Sequence, residues 1–215
     1  MSASYCCVPP ADPHRGNRAY KRVLWVVLAI NAIMFLVEIA AGLATGSASL
    51  QADALDFLGD AGNYVISLAV VGMALRYRSL AALSKGLTMG AFGIWVLGIV
   101  VWHAVTGVVP KPITMGVVGM AALIANAACA VMLYTYRGGD ANMQSVWICS
   151  RNDVLGNLAV LMAALGVSDT GTGWPDLIVA AIMATLALQG AILVARQASV
   201  ELQWSRAYQL PDRTR

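Results

Sequence analysis

The chain has 215 residues, 59% of them hydrophobic and 12% charged, with a formal net charge of +3 and a mean hydropathy of +0.70. A water-soluble domain carries about twice that charged fraction, so the composition rules out a soluble globular protein and puts most of the length in lipid. The small positive excess gives no case for nucleic acid as a partner, and Cys6, Cys7, Cys129 and Cys149 imply no disulfide framework, the last two lying inside apolar runs.

Residues 1–22 form a polar tail containing Pro9, Pro10 and Pro13 and ending in Arg15, Arg18, Lys21 and Arg22. Cys6, Cys7 and His14 place soft ligands on that tail, with Asp12 between. They are either a metal-capturing arm or incidental groups on a disordered segment, and a tetrahedral set would need Asp12 or a water. The first apolar run, about 23–44, is too long for a signal-peptide core and is interrupted by Asn31 and Glu38, so it reads as an uncleaved membrane helix. A second helix follows over about 49–75 and a third over about 80–106, before Pro110 and Pro112. The fourth, about 114–136, stops at Arg137-Gly138-Gly139-Asp140. The fifth, about 142–167, is separated by Gly171-Thr172-Gly173-Trp174-Pro175 from the sixth, about 176–194. Each run matches the roughly 20 residues that cross a bilayer.

The expectation is an all-α integral membrane protein with six transmembrane helices spanning 23–194, flanked by tails 1–22 and 195–215. Too few residues follow the sixth helix to bury a second core. Lysine and arginine gather in both tails, in the second-to-third connection (Arg76, Arg78, Lys85) and in the fourth-to-fifth (Arg137), whereas the other three connections hold only Lys111. Both termini are therefore expected in the cytoplasm. Gly86, Gly90 and Gly93 suit close helix packing in lipid. Trp25, Trp102 and Trp174 fall near helix ends, as interfacial aromatics do, and His103 reads as a packed or interfacial residue.

The second helix carries the feature that needs explaining. Asp53, Asp56, Asp60, Asn63 and Ser67 are spaced by threes and fours, which draws one polar stripe down one helical face. A carboxylate at the bilayer centre costs roughly 2.5–3.5 kcal/mol on the insertion scale. Three on one helix imply a wet cavity, a partner charge or a bound cation. Isolated amides and hydroxyls such as Asn31, Asn63 and Ser67 serve more often as hydrogen bonds between helices. Helix five carries Arg151, Asp153 and Asn157. Counting about 1.5 Å per residue from the cytoplasmic ends, Asp60 falls within about one turn of the depth of Asp153, and Asp56 within about one turn of Asn157. Carboxylate and carbonyl oxygens meeting at one point make a divalent-cation site.

These residues resemble the cation diffusion facilitators, six-helix divalent-metal/proton antiporters. The likeness covers about 20–200 and rests on Asn31 and Glu38, Thr45-Gly46-Ser47-Ala48-Ser49 leading into Leu50-Gln51-Ala52-Asp53-Ala54, Asp56 with Asp60, and Asp153 with Asn157. It implies that Asp56, Asp60, Asp153 and Asn157 ligate the transported ion. Zinc-carrying members commonly have His at the position of Asp56 or Asp153 and Asp at that of Asn157. The family's usual cytoplasmic domain after helix six is also missing, so a short, tail-less form is expected. A homodimer remains compatible with the chain.

An all-oxygen site suits manganese, magnesium or iron by ligand type, although carboxylates bind zinc too. The resemblance favours zinc, with cadmium and cobalt next. Metal binds deprotonated carboxylates, so protons compete for the same oxygens. Asp53 and Glu38 are either proton carriers or helix-to-helix contacts; Arg151 is expected to neutralise an acid when the ion has left, with a snorkelling role as the alternative. The expected function is export of divalent metal from a bacterial cytoplasm across the inner membrane in exchange for protons. The ion is then substrate, and no cofactor is called for. The partners are metal ions, protons and membrane lipids. The rival readings are a manganese or iron carrier of the same architecture, a metal sensor, an intramembrane aspartyl protease using Asp60 and Asp153, or a magnesium-dependent phosphotransferase. The phosphotransferase would want its acids at the membrane surface beside several basic residues; here they lie at mid-depth, so a carrier rather than an enzyme is expected.

Overall fold

A computed structural model describes residues 18–69, 75–135 and 141–207. They form six helices: α1 (Arg18–Thr45), α2 (Ala48–Ala69), α3 (Leu75–Thr106), α4 (Pro112–Tyr134), α5 (Ala141–Thr170) and α6 (Trp174–Ala207). There is no strand among the described residues. The apolar runs locate every helix, but two continue into polar sequence. Helix α1 begins at Arg18, inside the basic cluster, and α6 continues beyond Val194 to Ala207. Much of the expected C-terminal tail, 195–215, is therefore helix. Lipid limits where a helix must be apolar, not where it must end.

Five of the described helices are long and apolar enough to cross a membrane. The exception is α2, whose 22 residues include Asp53, Asp56 and Asp60. It is also the helix best shielded by protein, packing against α1, α3, α5 and α6. Burial within the bundle keeps its carboxylates out of hydrocarbon, where unpartnered polar groups are costly. Large apolar side chains point outward all round the bundle, among them Trp25, Ile94, Val105, Ile113, Val131, Leu155 and Leu165. This pattern marks a multi-pass membrane protein. Trp102 and Trp174 are also exposed near helix ends, as the interfacial reading requires.

The α1/α2, α3/α4 and α5/α6 turns meet at one end. A Cβ on Gly46 would lie 2.9 Å from Val108 Cγ1, and one on Gly173 would strike the Val108 carbonyl oxygen. Successive helices alternate in direction, so the start of α1 and the end of α6 share the opposite, terminal end of the bundle. Gly46 adopts φ 71°, where a side chain is strained. With Ser47 N–H donating to the Gly42 carbonyl at 3.0 Å, it turns the chain from α1 into α2 within two residues.

The main pairings are α3 with α6, α1 with α2 and α4 with α5. The glycine series on α3 lies at the α6 seam. Cβ atoms there would come 3.2 Å from Ala191 O at Gly86, 3.7 Å from Ala191 Cβ at Gly90 and 2.9 Å from Leu188 Cγ at Gly93. Small residues let these two backbones approach closely.

Candidate metal site

The start of α2 is held by a group that sequence reading missed. Asp176, in the first turn of α6, is fully buried. Its Oδ1 accepts from Ser47 Oγ (2.7 Å), Ser49 Oγ (2.6 Å) and Ser49 N–H (3.1 Å), and its Oδ2 accepts from Ala48 N–H (2.8 Å). Ser47 Oγ in turn accepts from Leu50 N–H at 3.2 Å. A carboxylate from another helix thus satisfies the N–H groups that open α2 and sits at the positive end of its dipole. Gln51 adds a second tie: its amide donates to Ser47 O at 3.1 Å, and its Oε1 accepts from Trp95 Nε1 at 3.4 Å. From sequence, Asp176 was only the boundary of a helix, because a cap supplied across 129 residues has no local pattern.

Below this clamp the polar stripe descends. Asp53 and Asp60 are buried, and Asp56 and Asn63 partly so. The side chain of Ser67 lies outside the described part of the structure. Tyr64, one turn beyond Asp60, donates its hydroxyl to Asp60 Oδ2 at 3.3 Å. Facing the stripe, α5 brings Asp153 within hydrogen-bonding reach of Asp60 and close to Asp56. The depth expected for Asp60 and Asp153 thus holds. Next to Asn157, a Cβ on Gly156 would stand 3.9 Å from Asp56 Oδ2 and 4.0 Å from Asp53 Oδ1. Only hydrogen occupies that position, so the α5 backbone comes close to the acids.

Asn157 is fully buried. Its Nδ2 donates to the Asp153 carbonyl at 2.8 Å, one turn back, which leaves Oδ1 as an acceptor without a donor. Asp153 Oδ2 is likewise buried and unpartnered. Orphaned buried oxygens are costly, and their grouping here has the polarity a cation requires. Glu38 of α1 lies within hydrogen-bonding reach of Asp53 and near Asp56. Both Glu38 oxygens and Asp53 Oδ2 lack a donor. Two carboxyl groups placed this way can bond to each other only through a shared proton.

Among the described residues, no three His, Cys, Asp or Glu side chains stand together as a ready ligand set. Closing these oxygens on an ion therefore requires side chains to turn. Arg151 lies on α5, but its side chain is outside the described part, as are Cys6, Cys7 and His14. His103 is half-buried beside the Gly46 turn with no partner for Nδ1, in keeping with a packed histidine at that end.

The family profile for the cation efflux transmembrane domain matches residues 24–203. The metal cation efflux system protein CzcD of Cupriavidus metallidurans is 25% identical over 182 residues, covering 79% of this chain and 57% of its own length. The zinc transporter ZitB of Yersinia pestis is 26% identical over 196 residues, covering 85% and 62%. The cadmium, cobalt and zinc/H(+)-K(+) antiporter of Bacillus subtilis is 24% identical over 197 residues, covering 82% and 61%. The chain thus spans about three-fifths of the length of these curated relatives.

Proposed function

Because the chain belongs to the cation diffusion facilitator family, matched over residues 24–203, we propose that it exports divalent metal cations from the cytoplasm in exchange for protons. Zinc is the favoured substrate, followed by cadmium and cobalt. One observation carries the reading: an unpartnered buried oxygen of Asp153 on α5 lies against the Asp56–Asp60 row of α2, one helical turn from the equally unpartnered Oδ1 of Asn157. An ion entering there displaces protons from the carboxyls, and protons returning from the far side displace the ion. Metal moves one way and protons the other because they compete for the same lone pairs. The basic residues at the terminal end support a cytoplasmic location for that end.

Glu38 and Asp53 are the second part of the proposal. Being orphaned acceptors that face each other, they hold a proton close to the ion without ligating it. Arg151 acts as counter-charge to the acids once the ion has left, and Cys6, Cys7 and His14 deliver metal from the cytoplasm. A manganese or iron carrier is the second reading, favoured by the absence of histidine from the four oxygen-bearing positions. An enzyme reading has no comparable support, since the matched family and the relatives named above are transporters.

The test is metal-driven proton movement in proteoliposomes. Inward metal should move protons outward, and Asp60→Ala should abolish both fluxes. Metal uptake with no proton movement, or full activity of Asp60→Ala, would overturn the reading. Running zinc, cadmium, cobalt and manganese through the same assay ranks the substrates.

A further inference from the structure

Tyr64 plays no part in the scheme above, yet it holds one oxygen of a proposed ligand. It lies one turn from Asp60 towards the terminal end, and its side chain leans back along α2, as helical side chains do. Its hydroxyl donates to Asp60 Oδ2 at 3.3 Å. A buried tyrosine usually finds a hydrogen-bond partner, so the pair alone is no more than a contact within one helix. The surroundings add to it. The ring is 1% exposed and packs with Leu24 and Val27 of α1 and with Cys129 and Leu133 of α4. Asn31 ties the same two helices together, its Nδ2 donating to Cys129 Sγ at 3.7 Å. Beside Asp60, a Cβ on Gly59 would stand 3.2 Å from Met89 Cε of α3, so the α2 backbone is held at this level too. With ring and backbone both fixed, the hydroxyl has one place from which to bind Oδ2.

The oxygens on α5 differ. Asp153 Oδ2 and Asn157 Oδ1 are buried without a donor. Asn157 has a single oxygen to offer, because its nitrogen is tied to the Asp153 carbonyl. We propose that Tyr64 is a positioning residue that keeps Asp60 a one-oxygen ligand, and so favours zinc, which takes four ligands, over manganese, which takes six. The proposal rests on the transport reading and deepens it by naming the coordination class of the ion. Tetrahedral zinc needs one oxygen each from Asp56, Asp60, Asp153 and Asn157. Manganese prefers an octahedron of oxygens, and a carboxylate can give both of its oxygens to an ion of high coordination number. With Oδ2 on Tyr64, Asp60 meets the ion through Oδ1. Zinc loses nothing by this, whereas manganese loses a donor. The 3.3 Å separation is long beside the usual O–H···O length of about 2.7–2.8 Å. A hydrogen bond to an ionised carboxylate is shorter and stronger, and the ionised form is the one that binds metal. Ion binding and the Tyr64 bond therefore reinforce each other.

The experiment compares the full chain with Tyr64→Phe, which keeps the ring in its apolar cluster and removes only the hydroxyl. Zinc and manganese are each titrated into both proteins in nanodiscs and followed by calorimetry. Losing a hydrogen bond that orients a metal ligand costs about tenfold or more in affinity, so zinc binding should weaken by about that factor. Manganese gains the freed oxygen of Asp60, so its affinity should stay within about twofold and the zinc-to-manganese ratio should fall at least about fivefold. A merely structural contact would weaken both ions alike, and a ratio within about twofold of the parent overturns the proposal. A second measurement needs no substitution, so poor folding of the variant does not remove the test. X-ray absorption of the zinc-loaded parent should show four light-atom ligands at about 2.0 Å; five or six overturn the proposal as well. If the ratio shifts and zinc is four-coordinate while the parent moves no protons, the antiport reading fails and the role of Tyr64 stands. If the parent exchanges zinc for protons and the ratio does not shift, the reverse holds.

Discussion

In the proposed site Asn157 acts through what its nitrogen does elsewhere. With Nδ2 tied to the Asp153 carbonyl, the amide cannot rotate freely, and Oδ1 is held as an acceptor. Replacing it with Leu removes that oxygen and should weaken zinc binding by at least about fivefold, since each lost oxygen ligand of this kind is worth about a kcal/mol or more. Asn157→Asp is the more telling change. A fourth carboxylate should tighten zinc binding at high pH, and it also adds one group for protons to occupy. Zinc affinity measured calorimetrically from pH 6 to pH 8 should then fall more steeply on acidification than in the parent. An unchanged slope would mean that position 157 does not touch the ion. The stripe of Asp53, Asp56 and Asp60, and Asp153 opposite it, could be read from spacing because a helix repeats every 3.6 residues. Cys129 and Asn31 could not. Their meeting spans 98 residues, and single polar residues on apolar helices carry no period.

At the scale of the helix, α2 can carry three acids because its beginning is fixed from outside. Asp176 takes four hydrogen bonds from residues 47–49. Hydrogen bonds to a charged acceptor contribute more than neutral ones, and a buried helix start left uncapped is costly. Asp176→Ala should therefore destabilise the folded protein by about 2–4 kcal/mol, read as a lower unfolding midpoint in detergent. Asp176→Asn keeps the shape but loses the charge opposite the α2 dipole, and should fall between parent and alanine. Equal midpoints for all three would show that the clamp is not what holds α2. The α3–α6 seam gives a second prediction at this scale. Gly93→Leu forces a side chain into space where even a Cβ would stand 2.9 Å from Leu188, so it should part the two helices and lower stability. Gly98→Leu, at a position with nothing within 4 Å, should not. Helix positions were readable from apolar runs, and the seam from glycine spacing. The ends of α1 and α6 were not, because charged residues in the headgroup region continue a helix as readily as they end it.

For the whole molecule, the site is a competition that the bundle holds away from water. On the proposed reading the carboxyls of Asp56, Asp60 and Asp153 bind either protons or an ion, so acid and metal oppose each other. The sign follows directly. Lowering the pH fills the carboxyls with protons, weakens metal binding and slows transport at subsaturating metal; raising it does the reverse. An exchange that moves no net charge releases about two protons per divalent ion, so the logarithm of the zinc dissociation constant should fall by about two for each pH unit gained. Glu38 and Asp53 make that number informative. If the pair holds its proton throughout the cycle, changing Glu38 to Gln should leave the slope unchanged and affect only the rate. If the proton on that pair is one of those exchanged, Glu38→Gln should reduce the slope by about one. Because both Glu38 oxygens and Asp53 Oδ2 are buried without donors, the glutamine amide can donate to Asp53 in place of the shared proton. The variant is therefore expected to fold, and the proton count separates a carrier pair from a structural contact.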